Sequence, residues 1–392
     1  MLREVYMKKM IRIMYVHHGR SSGGAARSLA FLIDKLDKEK YDPYVICHLD
    51  FEKNRQLFSS VGAHVIHGKY LGGWHGSTVA PINKSTLKFN VVHLLPTYFG
   101  IKSLVRKIHP DIIHLNSTCL CFAARSIRNS FPTIPIVCHV REPLLDGFWG
   151  DILRKNCEVA VDRFIAIEQF DADSLHTSKK VDIIYNFVDF DIYNDQVKSD
   201  CLRKELNLDN NHKILLYLAR VCPSNGALEL ATAIIPFLQQ RKDIHLCIVG
   251  VQPEDHSNYL HKLQLLNTQN SNLHLICFRN DVPQLIASSD LMVVPFQTPH
   301  FARSIIEAAA MGVPTIASDI EGPRELIIHN ETGYLIDPAT FSGFEAYCKN
   351  LLDEAENYNR ISENAIKFAH KNFDARINSR RTMEIYQELL DH

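Results

Sequence analysis

The chain has 392 residues, 46% of them hydrophobic and 22% charged, with 43 Lys and Arg against 44 Asp and Glu. That composition belongs to a globular protein too long for a single ordinary core, and two domains of about 200 residues each are expected. No apolar run approaches the roughly 18 residues that span a bilayer, and the N-terminus lacks the apolar stretch of a signal peptide, so membrane-spanning and secreted classes are set aside for a cytoplasmic one.

In chain order, short apolar runs rich in β-formers alternate with helical patterns. The first series of strands is predicted at 11–16, 44–47, 65–66, 112–115, 136–139, 163–167 and 182–185. The second is predicted at 214–218, 245–249, 273–277, 291–295 and 314–317. Strands apolar on both faces and separated by helices predict parallel sheets covered on both sides, and two such series predict two doubly wound α/β domains. A polar, turn-rich stretch at 186–200 marks the break between them. The expected domains are 1–190 and 191–370, with 371–392 as a C-terminal helix crossing back to the first. That helix is predicted over about 375–390 from the spacing of Ile377, Met383, Ile385, Tyr386 and Leu389.

The near-neutral total hides a split. Residues 1–150 hold 20 basic and 10 acidic side chains, and the remainder 23 against 34. In 51–110 Glu52 is the only acid, among Lys53, Arg55, Lys69, Lys84, Lys88, Lys102, Arg106 and Lys107, with Tyr70, Trp74 and Tyr98 interleaved. Such a surface fits an anionic membrane, a phosphate-bearing acceptor or an ordinary solvated face; no nucleic-acid motif accompanies it. The ten cysteines include no CxxC pair. The closest two, Cys119 and Cys121, do not make a metal site alone, and buried reduced thiols are the expected state.

Ligands of doubly wound domains sit at the carboxyl ends of the strands. After the first strand comes HHGRSSGGAARSL, in which Gly19, Gly23 and Gly24 let backbone amides approach a ligand before a helix opens. The loop fits a nucleotide site or a structural turn, and the GxGxxG spacing of a dinucleotide fold is absent. The longest informative stretch is 291–337. It predicts a strand, a loop, a helix from about Arg303 to Met311 carrying Glu307, another strand, and a helix opening at Gly322-Pro323.

That stretch resembles the retaining GT-B glycosyltransferases of family four (glycosyl transferases group 1). The matching positions are Phe301, Glu307, Ala308, Ala310, Gly312, Pro314, Ile316, Ala317, Ser318, Gly322, Glu325, Ile327, Gly333 and Leu335. GGAARSL, HVREP at 139–143, IIYNFVD at 183–189 and LARVCPSNG at 218–226 resemble further segments of the family. The resemblance implies two Rossmann-like domains facing each other across a cleft. The implied reaction moves a hexose-type sugar from a nucleotide diphosphate-sugar to a glycan or lipid-linked acceptor in cell-surface polysaccharide synthesis. It is implied to proceed with retention, without a metal or other cofactor, and without a named protein nucleophile. The N-terminal domain would face the acceptor and make any peripheral membrane contact.

By resemblance, Arg220 is the phosphate arginine and His139 lies near the donor sugar; these are the catalytic candidates. Gly23, Gly24, Asn225, Phe301, Ala302, Arg303, Ser304 and Glu307 form the donor-binding set. Arg220's planar fork suits a diphosphate, Phe301–Ser304 would present amides at a helix start, and Glu307 would accept both ribose hydroxyls. Arg279 falls near where the family places the base. Three positions depart from the pattern: Asn225 for a lysine, Pro299 for a glutamate and Ala302 for a glycine. Arg303, His300, Arg20 and Arg27 are candidates to restore the missing charge. The departures also motivate an alternative, a catalytically silent GT-B protein that binds a nucleotide or a partner enzyme.

Overall fold

The computed structural model describes residues 10–19, 23–47, 52–69, 71–77, 84–252 and 254–391. Arg20 and Tyr70 lie outside the described residues. The chain forms two compact units, one of residues 1–186 together with Ala375–His392, the other Phe187–Asp374.

The first unit is built on β1 (Ile11–Val16), β2 (Tyr41–Cys47), β3 (His64–His67), β4 (Ile112–Leu115), β5 (Ile136–Val140), β6 (Arg163–Ala166) and β7 (Val181–Ile183). They form one parallel sheet in the order β3-β2-β1-β4-β5-β6-β7. β4, β5 and β6 are buried at every position because helices cover both faces, which is why they read as mainly apolar runs, each with one buried polar residue, His114, His139 and Arg163. β2 starts three residues before the predicted 44. Pro43 obscured that start, since a proline gives no N–H to a ladder. It is tolerated because β3 joins β2 only from Tyr44 onward, leaving the β3 side of Pro43 open.

The second unit carries β8 (Lys213–Leu218), β9 (Ile244–Val251), β10 (Leu273–Cys277), β11 (Leu291–Val294), β12 (Thr315–Ser318) and β13 (Tyr334–Ile336). Its parallel sheet runs β10-β9-β8-β11-β12-β13. β13 was not predicted: its three residues at the sheet edge are too few to show a periodicity. Each sheet packs against its own core, with Met14, Ile113, Cys138 and Phe164 in the first and Leu215, Ile248, Val293 and Phe344 in the second.

In both sheets successive strands run outward one way from β1 or β8 and then the other way from β4 or β11. This reversal opens a crevice at the carboxyl ends of β1 and β4, and of β8 and β11, where doubly wound folds bind ligands. The helix Ala375–Leu390 packs into the first unit. Its Tyr386 is fully buried, and its Asn378 donates to the Tyr185 carbonyl at 3.2 Å.

Candidate functional site

In the second unit, the segment after β8 turns sharply at Gly226. Its φ of 72° lies in the left-handed region, and a Cβ there would come within 1.9 Å of the Pro295 carbonyl oxygen. That close approach locks the β8 loop against the end of β11. The Gln297 amide then donates to the Ser224 carbonyl at 2.9 Å, and the Thr298 amide to the same oxygen at 3.3 Å. Gly322, after β12, has φ 93°, and a Cβ there would meet the His300 carbonyl at 2.2 Å. Two glycines thus pin three strand-end loops to one another, and all the candidate donor-binding residues of this unit ride on them or on the helix that follows.

Arg220 stands at the end of β8. The Tyr217 hydroxyl and the Asn225 side-chain amide both donate to its carbonyl at 2.9 Å, so its backbone is fixed. Its side chain is exposed, and the guanidinium has no ion pair or hydrogen bond among the described residues. Asn225, at the family lysine's position, is buried and its side-chain amide serves as this brace.

The helix Arg303–Ala310 begins with Ala302 at its cap, which supplies no side-chain hydrogen bond to the first-turn amides. Ser304 and Glu307 are buried on its first turns, while Phe301 is half-buried. Arg303 lies one helical turn before Glu307 and reaches its Oε1 at 3.2 Å and the Phe187 carbonyl at 3.4 Å. A buried carboxylate is tolerable only when paired, so Arg303 neutralises Glu307 in place of the missing lysine charge. His300 does not restore that charge either. It stacks on Phe296 with centroids 4.1 Å apart, and its Nδ1 bonds the Thr298 carbonyl at 2.8 Å. Burial, with Arg220 nearby, holds its pKa below the ordinary histidine range. Pro299 offers no polar side chain. Arg279 pairs with Asp281 and Glu205. Among the described residues of these loops, Arg220 is the guanidinium with no ion pair.

In the first unit, the helix Gly24–Asp34 follows β1 with Gly23 as an uncapped, extended N-cap (φ −72°) that any residue could adopt; Gly23 and Gly24 are bare but not conformationally obligatory. Asn116, just after β4, ties this start down. Its amide nitrogen lies 2.9 Å from His17 Nδ1 and 3.1 Å from the Ala25 carbonyl, and its oxygen accepts from Arg141 Nε at 2.9 Å. Arg141 also reaches Asn186 Oδ1 at 3.2 Å, which accepts from Ser28 as well. Arg27 lines an open depression with Lys53 and Gln56.

His139, on β5, is buried and linked to the C-terminal helix by a chain of rings. His139 Nδ1 lies 2.7 Å from His114 Nε2, His114 Nδ1 lies 2.5 Å from the Tyr386 hydroxyl, and that hydroxyl lies 3.3 Å from Tyr15's. Burial, with Arg141 nearby, lowers the pKa of His114 to about 3 and that of His139 well below the usual range, so both rings are neutral at pH 7. A neutral imidazole has one donor and one acceptor nitrogen. Two tautomer sets satisfy this chain, running in opposite directions; when the Tyr386 hydroxyl donates to His114 Nδ1, His114 donates from Nε2 to His139 Nδ1 and His139 carries its proton on Nε2. Tyr386, His114 and Tyr15 were not legible as site residues; they read as core.

His18, His75 and Cys119 form a separate group near the β1–β4 crevice. Their donor atoms lie within 4.8 Å of one another, with Cys119 Sγ 3.2 Å from His18 Nε2. Two imidazoles and a thiol are a donor set that suits a borderline cation such as zinc. Cys121 is no part of it; its thiol is buried, which raises its pKa. All ten cysteines are free, but Cys277 is exposed and Cys201 and Cys222 are half-buried, so the expectation of uniformly buried thiols fails at these three.

Two parallel-sheet units with ligand loops at their switch points define a two-domain Rossmann-like protein of GT-B type. The second half, 198–368, matches the family described as glycosyl transferases group 1, and 22–192 matches glycosyltransferase family 4. The chain belongs to the group 1, GT-B glycosyltransferases. It is 30% identical over 259 residues to a GDP-mannose-dependent alpha-mannosyltransferase of Corynebacterium glutamicum, covering 62% of this chain and 59% of that one. It is 24% identical over 267 residues to the UDP-Gal:alpha-D-GlcNAc-diphosphoundecaprenol alpha-1,3-galactosyltransferase of Escherichia coli, covering 62% and 66%. The matches span between half and two thirds of the length of such curated relatives. An Anabaena protein solved in complex with UDP and glucose shares the fold, with a TM-score of 0.78 and 20% identity over 96% of this chain and 99% of that one. Among the described residues no helix is long and apolar enough to cross a membrane.

Proposed function

We propose that this protein transfers a hexose-type sugar, with retention of configuration, from a nucleotide diphosphate-sugar to a glycan or lipid-linked acceptor. The observation that carries the reading is the Arg220 guanidinium, exposed and unpaired on a braced loop pinned to the one that leads into the uncapped helix start at Ala302–Ser304. Arginine's fork and bare amides together form a receptor for a diphosphate. Glu307, on the first turns of that helix and paired with Arg303, is the acceptor for the ribose hydroxyls, since one carboxylate accepts more than one hydrogen bond.

In the proposed reaction the bond between the sugar's anomeric carbon and the diphosphate oxygen breaks while the acceptor hydroxyl oxygen bonds to that carbon. The hydroxyl proton passes to the departing phosphate oxygen, and the nucleoside diphosphate leaves. Negative charge grows on the phosphate as the bond breaks, and Arg220 stabilises it at that moment. His139, with its proton on Nε2 when the Tyr386 hydroxyl donates along the chain, would hydrogen-bond a sugar hydroxyl. No metal is required in this scheme, since the arginine and the amides supply the positive potential. The relatives' dependence on GDP-mannose and on a diphosphoundecaprenol-linked acceptor supports a nucleotide-sugar donor and a lipid-linked acceptor.

The test is release of nucleoside diphosphate from a panel of nucleotide sugars, with and without undecaprenyl diphosphate-linked sugars. Turnover abolished by Arg220→Ala supports the proposal. Tight nucleotide binding with no turnover on any donor would favour the silent binding protein.

A further inference from the structure

Among the described residues, His18, His75 and Cys119 are the group whose metal-ligating atoms converge, all within 4.8 Å of one another. His18 and Cys119 stand 101 positions apart in the chain. His18 follows β1, and Cys119 sits in the turn Thr118–Leu120 after β4. The parallel pairing of β1 with β4 therefore brings both to the carboxyl end of the sheet. His75 comes from the irregular segment 71–77, which main-chain bonds fasten to its neighbours. The Trp74 amide donates to the Cys119 carbonyl at 2.8 Å, the Gly72 amide to the Thr97 hydroxyl at 2.8 Å, and the Leu145 amide to the Gly76 carbonyl at 2.8 Å. Gly73 permits the close approach, since a Cβ there would lie 3.2 Å from that of Cys119 and 3.3 Å from His18 Cδ2. Cys119 is buried and both histidines are half-buried, so the fold and not side-chain drift gathers the three.

Cys119 Sγ lies 3.2 Å from His18 Nε2 and 2.8 Å from Ser117 Oγ. In a tetrahedral zinc site, with Zn–N of about 2.0–2.1 Å and Zn–S of about 2.3 Å, neighbouring ligand atoms are about 3.3–3.6 Å apart. The cluster brackets that spacing, and side-chain rotations moving these atoms by roughly 1 Å complete it. Glu142 acts electrostatically on His18 and accepts from the Ser77 hydroxyl, which sets a negative charge beside the cluster and favours a cation there. A thiolate with two imidazoles selects zinc over magnesium or calcium, which take oxygen ligands. Three protein ligands leave a fourth position for an exchangeable group.

We propose that His18, His75 and Cys119 bind one zinc ion, the Cys119 thiol giving its proton to solvent as the Zn–S bond forms, with the fourth position open to water or an oxyanion. The ion staples the segment after β1, the segment 71–77 and the turn after β4 to one another. This assignment needs no sugar transfer. The test uses the untagged full chain, stripped with a chelator and titrated with zinc and, separately, with cobalt(II). The wild type is expected to bind one equivalent of zinc, to release a proton on binding and to melt at a higher temperature with the ion, by mass action. Its cobalt complex is expected to show the near-ultraviolet charge-transfer band of a thiolate ligand and the intense visible bands of tetrahedral cobalt. Both bands are read on the wild type, so the test survives a variant that fails to fold. His75→Ala and Cys119→Ala are each expected to weaken zinc binding at least about 100-fold, more than the loss of an outer-shell partner usually costs. Cys277→Ser, which alters an exposed thiol of the second unit, is expected to bind as the wild type does. A wild type that binds no zinc at micromolar concentration, or a cobalt complex without the thiolate band, would overturn the proposal and leave a thiol hydrogen-bonded to histidine. Undiminished binding by folded His75→Ala and Cys119→Ala would overturn it too.

Discussion

The two switch-point crevices are made from the same sheet topology and treat their polar groups in opposite ways. At β1–β4, Asn116, Ser28, Arg141 and Asn186 bond to one another, and His139 is the end of a chain that begins at Tyr15. At β8–β11, backbone bonds, two glycine contacts and the Tyr217 and Asn225 side chains bonded to the main chain hold the loops, and the Arg220 guanidinium makes no ion pair among the described residues. Rigidity in the first unit comes from side chains bonded to one another, and in the second from main-chain packing and side chains bonded to the main chain. On the proposed function, this gives charge recognition to the second unit and directional hydrogen bonding to the first.

The largest expected effect breaks the second half of that comparison. Arg220→Ala is expected to lower kcat/KM by about 100- to 1,000-fold, the scale of removing one donor from a developing oxyanion. Arg220→Lys should recover only part of it, because a point charge does not reproduce the fork. Steady-state kinetics with the best donor checks this.

Gly226→Ala attacks the main-chain packing itself. A Cβ 1.9 Å from the Pro295 carbonyl, at a positive φ, is expected to destabilise the second unit by roughly 2–4 kcal/mol. Urea denaturation reads it; a loss below about 1 kcal/mol would show that the loops yield without strain.

The side-chain network of the first unit is tested by Tyr386→Phe. The change leaves His114 Nδ1 buried without its hydrogen-bond partner, at an expected loss of about 1–3 kcal/mol. It also removes the group that sets the ring polarity, so nitrogen-15 spectra should show His139 protonated on Nε2 in the wild type and redistributed in the variant. Nδ1 protonation in the wild type would reverse the direction of the chain.

The last effect is pH dependence, small over the mildly acidic range. His114's pKa is depressed from 6.5 to about 3 in the folded state, so below pH 6.5 the unfolded chain binds a proton that the folded one refuses. Stability is fully present above that value and falls as the pH drops toward 3, by up to about 1.4 kcal/mol per pH unit for this ring. Denaturation midpoints at neutral and mildly acidic pH check the sign, and His114→Asn should flatten the slope.

Much of the fold was legible because parallel strands buried on both faces leave apolar runs such as Ile112–Leu115 and Leu291–Val294. The helix start at Arg303 and the placement of Glu307 were legible through a long motif. What stayed hidden depends on direction and distance in space. Asn225 showed as a missing lysine, but nothing in its neighbours revealed that its amide turns back onto Arg220. Arg303 looked like a spare cation until its i,i+4 partner proved to be buried. The Tyr15–Tyr386–His114–His139 chain joins residues up to 371 positions apart, of which His139 stood out through the resemblance while Tyr15, Tyr386 and His114 read as core.

The central claim is that Arg220 recognises the diphosphate. It is tested most directly by calorimetric binding of a nucleoside diphosphate and the corresponding nucleoside to the wild type and to Arg220→Ala. The account predicts that the wild type binds the diphosphate much more tightly than the nucleoside and that Arg220→Ala erases most of this difference while leaving nucleoside affinity unchanged. An undiminished preference for the diphosphate in Arg220→Ala would contradict it.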